Sequence, residues 1–195
     1  RVAGERVDVR ACVGRVLRED VRAHRPLPAF DYSAMDGYAL RASDLAARED
    51  LALRVVGESR TGGTLPAPVE PGTTCRIFTG ARIPPDADAV VMQEEVTREG
   101  DLARFRKAPR PGDHIRRAGE DVAEGAVVLE RGTRVTPFQI GLLASVEALR
   151  VTVARRPVVS ILSTGDELRD AGAADRPGAV VDSNGPSLAA LVEAC

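Results

Sequence analysis

Four short segments of the chain carry side chains able to do chemistry, and all four mix acidic, hydroxyl and glycine residues. In the first, Phe30-Asp-Tyr-Ser-Ala-Met-Asp-Gly-Tyr-Ala39, three polar groups (Asp31, Ser33 and Asp36) crowd beside Gly37. A carboxylate there could bind a metal or accept hydrogen bonds; the same residues also make an ordinary Asx turn entering a strand. The second is Arg76-Ile-Phe-Thr-Gly-Ala81, where Thr79-Gly80 at the end of an apolar run can offer a hydroxyl and backbone N–H groups to an anion, or simply turn the chain. In the third, Arg116-Arg-Ala-Gly-Glu-Asp121, two arginines could grip phosphate bidentately with the acids orienting them, although such mixtures are commonly solvated surface. The fourth pairs Ser163-Thr-Gly-Asp-Glu167 with Asp182-Ser-Asn184. Each of these follows a strand-like run, the place where open α/β sheets collect ligands, and their hard oxygen donors suit Mg²⁺ and phosphate.

Other chemistry is weakly represented. His24 and His114 are isolated, so neither a Ser-His nor a Cys-His pair is indicated. Cys12, Cys75 and Cys195 are far apart and form no CxxC, which indicates neither a zinc site nor a disulfide framework.

The elements that must position these segments fall into three stretches. The first 25 residues give a helical turn at Asp8–Val13 closed by Gly14, then a strand-like run from Arg15 to Arg22. Pro26-Leu-Pro28 forms a hinge. From Phe30 to about Gly125 dense Gly and Pro separate short β-type runs at Tyr38–Leu40, Leu53–Gly57, Cys75–Phe78, Ala89–Val96 and Leu102–Arg106, with a flexible Thr61-Gly-Gly-Thr64 loop among them. At Thr136 the period changes: Thr136 reads as an N-cap, Pro137 as the first helical residue and Gln139 as its capping-box partner. A strand at Val151–Val153 follows. Val158–Leu162, continuously apolar, reads as a parallel strand covered on both faces. A second strand at Ala179–Val181 then leads to a helix opened by Pro186.

Composition narrows the function further. The 195 residues are 44% hydrophobic, enough to fill a core, with 27 Lys+Arg against 29 Asp+Glu. That balance argues against a dedicated nucleic-acid binder, as do the missing tryptophan and the 3% aromatic content, too little for base-stacking platforms. The apolar runs are far shorter than the roughly 20 residues a bilayer requires, and no positively charged start followed by an apolar run, the mark of a signal peptide, is visible in these residues. The expectation is a cytoplasmic protein with no nucleic acid or membrane as partner. Because it begins at Arg1 and stops at Cys195 inside a helical pattern, the sequence reads as a fragment.

Taken in order, the segments resemble one family: the molybdopterin molybdenumtransferases, the MoeA and gephyrin E-domain group. The matching residues are Gly14-Arg-Val-Leu17, Pro28-Ala-Phe-Asp-Tyr-Ser-Ala-Met-Asp-Gly-Tyr-Ala39, Arg76-Ile-Phe-Thr-Gly-Ala81, Ala87-Asp-Ala-Val-Val91, Arg116-Arg-Ala-Gly-Glu-Asp121, Gly141-Leu-Leu-Ala-Ser145, Ser160-Ile-Leu-Ser-Thr-Gly-Asp-Glu-Leu168 and Asp182-Ser-Asn184. Ser-Ala-Met-Asp-Gly-Tyr-Ala is the most specific of them. Thr-Gly-Asp-Glu is shared with related molybdopterin-binding domains of other activity.

The resemblance implies insertion of molybdate into adenylylated molybdopterin, with Mg²⁺ and release of AMP. It also implies an elongated homodimer, with the upstream adenylyltransferase as a further candidate partner. A multidomain α+β fold follows: a discontinuous linking domain at residues 4–23 plus 126–153, an inserted β-rich domain at 24–125, and the start of an α/β molybdopterin-binding domain at 154–195. By motif, Asp36, Thr79, Asp121 and Glu167 take catalytic positions, with Asp36 and Glu167 also handling metal. Arg116, Ser33, Thr164, Gly165, Asp166 and Asn184 take substrate-binding ones. The alternatives are a non-catalytic scaffold of the same family and a molybdopterin adenylyltransferase. Two departures stand out. Complete family chains are about twice this length, and Val146-Glu147 replaces the family's usual Gly after the Leu-Ala-Ser segment, depriving a helix end of its easiest left-handed residue.

Overall fold

The computed structural model describes residues 3–46 and 51–194. Two compact units make up the chain, one spanning Gly4–Val153 and the other the residues from Ala154 onward together with the chain start. Strands dominate and helices are few.

The larger unit opens with β1 (Gly4–Asp8) and a 3₁₀ turn at Val9–Ala11, capped by Asp8, whose Oδ1 accepts the Arg10 N–H at 2.9 Å. Then come β2 (Val21–Arg22), β3 (Tyr32–Ser33), β4 (Gly37–Leu40), α1 (Ala42–Ala46), β5 (Ala52–Ser59), β6 (Thr73–Ile77) and β7 (Ala89–Met92). A 3₁₀ turn at Gln93–Glu95 precedes β8 (Val96–Glu99), β9 (Leu102–Phe105), β10 (Ile115–Arg116), β11 (Val127–Leu129), α2 (Pro137–Ser145) and β12 (Arg150–Ala154). The expected run Ala89–Val96 is thus split by the turn at Gln93. Of Arg15–Arg22 only the last two residues form a strand, with single bridges from Val16 to Arg134 and from Leu17 to Val153.

One core joins the two ends of this unit. Val9, Cys12, Leu17, Val21 and Ala23 pack against Val135, Leu143, Val146, Ala148, Val151 and Val153, while β1 pairs with β12 and β2 with β11. The chain leaves and re-enters this core at one point: Ala23 N–H donates to Ala126 O, and Gly125 N–H to Ala23 O, at 2.9 and 2.8 Å.

Helix α2 starts as its sequence predicts. Gln139 Oε1 accepts the N–H and hydroxyl of Thr136 at 2.7 and 3.1 Å, and Pro137 holds the first helical position. Its far end closes by two crossing bonds, Ala148 N–H to Leu143 O at 2.9 Å and Glu147 N–H to Ala144 O at 3.1 Å. That closure needs a left-handed residue, and Glu147 supplies it at φ 58°. The left-handed position is thus taken by a residue with a Cβ.

The second core lies on both faces of a six-stranded sheet of order β7-β4-β6-β5-β9-β8, antiparallel except for the β5–β6 pair. Successive residues of β4 point to opposite faces. Tyr38 and Leu40 join Leu45, Leu53, Val91, Ala103 and Phe105 on one side; Ala39 joins Ile77, Ala81, Val90 and Ile115 on the other. Every residue of β4 is therefore buried.

In the smaller unit β13 (Leu168–Arg169) and β14 (Val180–Val181) pair in parallel, followed by α3 (Asn184–Ala194). The expected strand at Ala179–Val181 is recovered in β14. The expected buried strand at Val158–Leu162 is not: no strand is present there, and Val158 and Leu162 are 95% and 85% exposed. Apolar composition permits a buried strand, but only a paired and covered neighbour makes one, and here β13 and β14 pair with each other. Helix α3 also begins two residues before Pro186, because Asp182 Oδ1 accepts the N–H groups of Asn184 and Gly185 at 3.0 Å each and so caps the helix ahead of the proline.

Candidate functional site

In the larger unit three of the four chemically endowed segments converge on residues 31–36. The register of β4 against β6 sets Gly37 opposite Ile77, so Asp36, just before β4, lies within reach of Thr79, just after β6. Asp36 Oδ1 accepts both the backbone N–H of Thr79, at 2.8 Å, and its hydroxyl, at 2.7 Å. These two donors, the backbone one foremost, hold the Asp36 carboxyl below the usual aspartate range, and the positive charge of Arg76 adds to them.

The main chain around Asp36 is equally fixed. Gln93 N–H donates to Asp36 O at 2.9 Å, and Arg76 Nη1 to Gly37 O at 2.8 Å. At Gly37 the neighbouring strand leaves no room for a side chain: a Cβ there would sit 2.0 Å from Val91 O. Ser33, expected as a substrate contact, is fully buried, and its hydroxyl donates to Met35 O at 2.5 Å. It shapes the turn that presents Asp36.

On the other side of the same segment β3 pairs with β10, setting Tyr32 opposite Arg116. Asp31 receives Arg117 Nη1 at 2.6 Å and Ala118 N–H at 2.8 Å. Burial pushes the Asp31 carboxyl up, but the Ala118 amide and the Arg117 guanidinium outweigh it, so the net displacement is downward. Arg116 gives Nε to Glu120 Oε2 at 2.9 Å and Nη2 to Asp121 Oδ1 at 2.6 Å. The expected pair Arg116 and Asp121 is thus in direct contact, within a half-exposed lattice of alternating charge. The sequence offers Asp31 and Arg117 as candidate ligand groups, not as partners of each other; 86 positions separate them, and no local spacing signals their pairing.

The smaller unit brings together the two halves of the fourth segment. Ser163 hydrogen-bonds to Asp182, which, with the amides of Gly185 and Asn184, holds the Asp182 carboxyl below its ordinary range; Gly185 is the largest contributor. The Glu167 carboxylate lies against Gly165, where a Cβ would meet its Oε1 at 2.6 Å. Leu168 N–H closes the turn onto Gly165 O at 3.0 Å. Thr164, Asp166, Glu167 and Asn184 are all exposed. Asp182 is the organising residue here, and its cue was the Asp-x-Asn-Gly sequence ahead of an apolar helix.

Among the described residues no three His, Cys, Asp or Glu side chains gather to hold a metal ion, and no helix is long and apolar enough to cross a membrane. A Mg²⁺ bound through these carboxylates would take one or two of them and fill its shell from water and phosphate, which is how Mg²⁺ commonly binds. Asp36 in the larger unit and Glu167 in the smaller each carry hard oxygen donors of that kind, and Asp36 Oδ2 takes no part in the two bonds from Thr79.

The family model described as MoeA N-terminal region (domain I and II) matches residues 1–146. A molybdopterin molybdenumtransferase of Haemophilus influenzae is 41% identical over 97% of this chain and 46% of its own length. A gephyrin of Dictyostelium discoideum is 35% identical over 97% of this chain and 28% of its own. Among solved structures, a molybdopterin biosynthesis MoeA protein from Pyrococcus horikosii superposes with a TM-score of 0.90 at 31% identity, covering 98% of this chain and 50% of that one. The chain spans about half, or less, of the length of the curated relatives it matches. With its strand-rich fold, its ordered motifs and its match over residues 1–146, the chain belongs to the MoeA family.

Proposed function

We propose that the chain carries the N-terminal part of a molybdopterin molybdenumtransferase, which inserts molybdate into adenylylated molybdopterin and releases AMP in molybdenum cofactor biosynthesis. The observation that supports this most is the clamped carboxylate: Asp36 kept ionised by two Thr79 donors beside a cationic Arg76. Exchange of one anion for another at a pyrophosphate asks for fixed charge more than for a protein nucleophile. Asp36 in the larger unit and Glu167 in the smaller would each offer hard oxygens to Mg²⁺, and bound Mg²⁺ would neutralise phosphate charge. Arg116 supplies a planar cation for an anionic substrate, while Glu120 and Asp121 hold its guanidinium in one orientation. Thr79 orients Asp36, and the 163–167 loop with Asn184 contributes hydroxyl, amide and backbone donors to the phosphate.

In this reading residues 4–23 and 126–153 form a linking domain, 24–125 an inserted β-rich domain, and 154–195 the beginning of an α/β molybdopterin-binding domain. The separate cores support the first two. A cytoplasmic homodimer that receives its substrate from the upstream adenylyltransferase belongs to the same proposal. The experiment is AMP release from adenylylated molybdopterin with Mg²⁺, with and without molybdate. It is run on a chain extended to the length of the relatives and on the 195 residues alone. Molybdate-dependent release by the extended chain supports the reading. Its absence there leaves a scaffold protein of the same family, and ATP consumption with molybdopterin would point to adenylyl transfer.

A further inference from the structure

We propose that Arg76, acting with Gln93, is the positioning residue for Asp36: it fixes the main chain that carries the carboxylate, as Thr79 fixes the carboxylate itself. The inference rests on the reading of Asp36 as a site residue.

Arg76 lies on β6 directly opposite Tyr38 of β4, and Phe78, two residues on, shares its face. Its guanidinium sits over both rings, 5.2 Å from the Tyr38 centroid and 4.8 Å from that of Phe78, which fixes its plane. From there Nη1 donates to Gly37 O at 2.8 Å and Nη2 to Gln93 Oε1 at 2.5 Å. The same Gln93 donates its backbone N–H to Asp36 O at 2.9 Å. The carbonyls of Asp36 and Gly37 are therefore both held, one by Gln93 and one by Arg76, and the two holders are bonded to each other.

The chemistry of this arrangement suits arginine alone. Two acceptors on two different chain segments need a forked planar donor, and two flanking aromatic faces suit a flat cation; a lysine ammonium could meet one acceptor but not reproduce the fork. Both of these acceptors are neutral oxygens, so the two bonds fix geometry and form no ion pair.

The test is amide hydrogen exchange, followed by NMR, on the ¹⁵N-labelled chain. In Arg76→Met, which keeps an apolar stem between the rings, exchange at Gln93 and Thr79, whose N–H groups bond Asp36, is expected to accelerate ~10-fold or more, the order expected from losing a charge-assisted bond. The Leu143 amide, in the other core, keeps its rate. Gln93→Ala, at an exposed position that leaves folding intact, accelerates the same two amides by a smaller factor, and Arg76→Lys recovers part of the protection. Wild-type rates at Gln93 and Thr79 in Arg76→Met and Gln93→Ala overturn the proposal. Equal acceleration of every core amide does so too, because it assigns Arg76 to general stability. Failure of the underlying reading looks different: undiminished molybdate-dependent AMP release by Asp36→Asn in the extended chain, with the exchange pattern unchanged.

Discussion

Asp36 and Thr79 stand 43 positions apart and meet at a single oxygen, Oδ1, which takes both the hydroxyl and the amide hydrogen of Thr79. Thr79→Val removes one donor and keeps the other, so the Asp36 carboxyl titrates higher than in the wild type while staying below an unpaired aspartate. A carboxyl whose folded value is depressed contributes stability that is present above its unfolded value, near about 4, and lost as pH falls through the folded one. Thr79→Val therefore narrows that acid-side window. The ¹³C carboxyl shift of Asp36 followed against pH reports it, and an unchanged titration would contradict the arrangement.

Glycine substitutions should separate by sign. Gly37→Ala drives a Cβ to 2.0 Å from Val91 O within three paired strands, and is expected to cost about 3 kcal/mol or more. Gly141→Ala, in α2 with open space around it, is expected to stabilise by about 1 kcal/mol. Urea midpoints of the two variants check both.

Glu147→Gly is expected to stabilise as well. The left-handed backbone at φ 58° is strained for glutamate and free for glycine, about 1 kcal/mol. The Arg25–Glu147 ion pair lost with it is half-exposed at both ends and worth a few tenths. The net gain, somewhat under 1 kcal/mol, should raise the thermal midpoint by about 1–3 °C.

Asp31→Ala strips Arg117 and the Ala118 amide of their shared acceptor and is expected to cost about 1–2 kcal/mol. The disturbance should appear as faster exchange in residues 116–121, with the core around Leu143 untouched.

What the sequence disclosed and what it withheld divide along range. The start of α2 was legible because Thr136, Pro137 and Gln139 act on one another within a single turn. The short strands were legible because Gly and Pro bracket them, though their ends and the break at Gln93 were not. Two links escaped, Asp31 with Arg117 and Arg76 with Gly37, since each joins segments many residues apart through a register only the assembled sheet defines. The turn bond of Ser33 escaped for a related reason: a hydroxyl among acids looks like a ligand contact, and its bond to Met35 O shows only once the turn is formed. Val158–Leu162 shows the converse, an apolar run whose form depends on neighbours that its own residues do not name.

The core shared by residues 9–23 and 135–153 bears on the order of events during synthesis. A nascent chain emerges N-terminus first, so Val9, Cys12, Leu17 and Val21 leave the ribosome long before Val135, Leu143 and Val153 exist to cover them. The six-stranded sheet between them draws all its strands from residues 37–105. The opening segment must wait, its apolar side bare, until the sheet is finished and α2 follows.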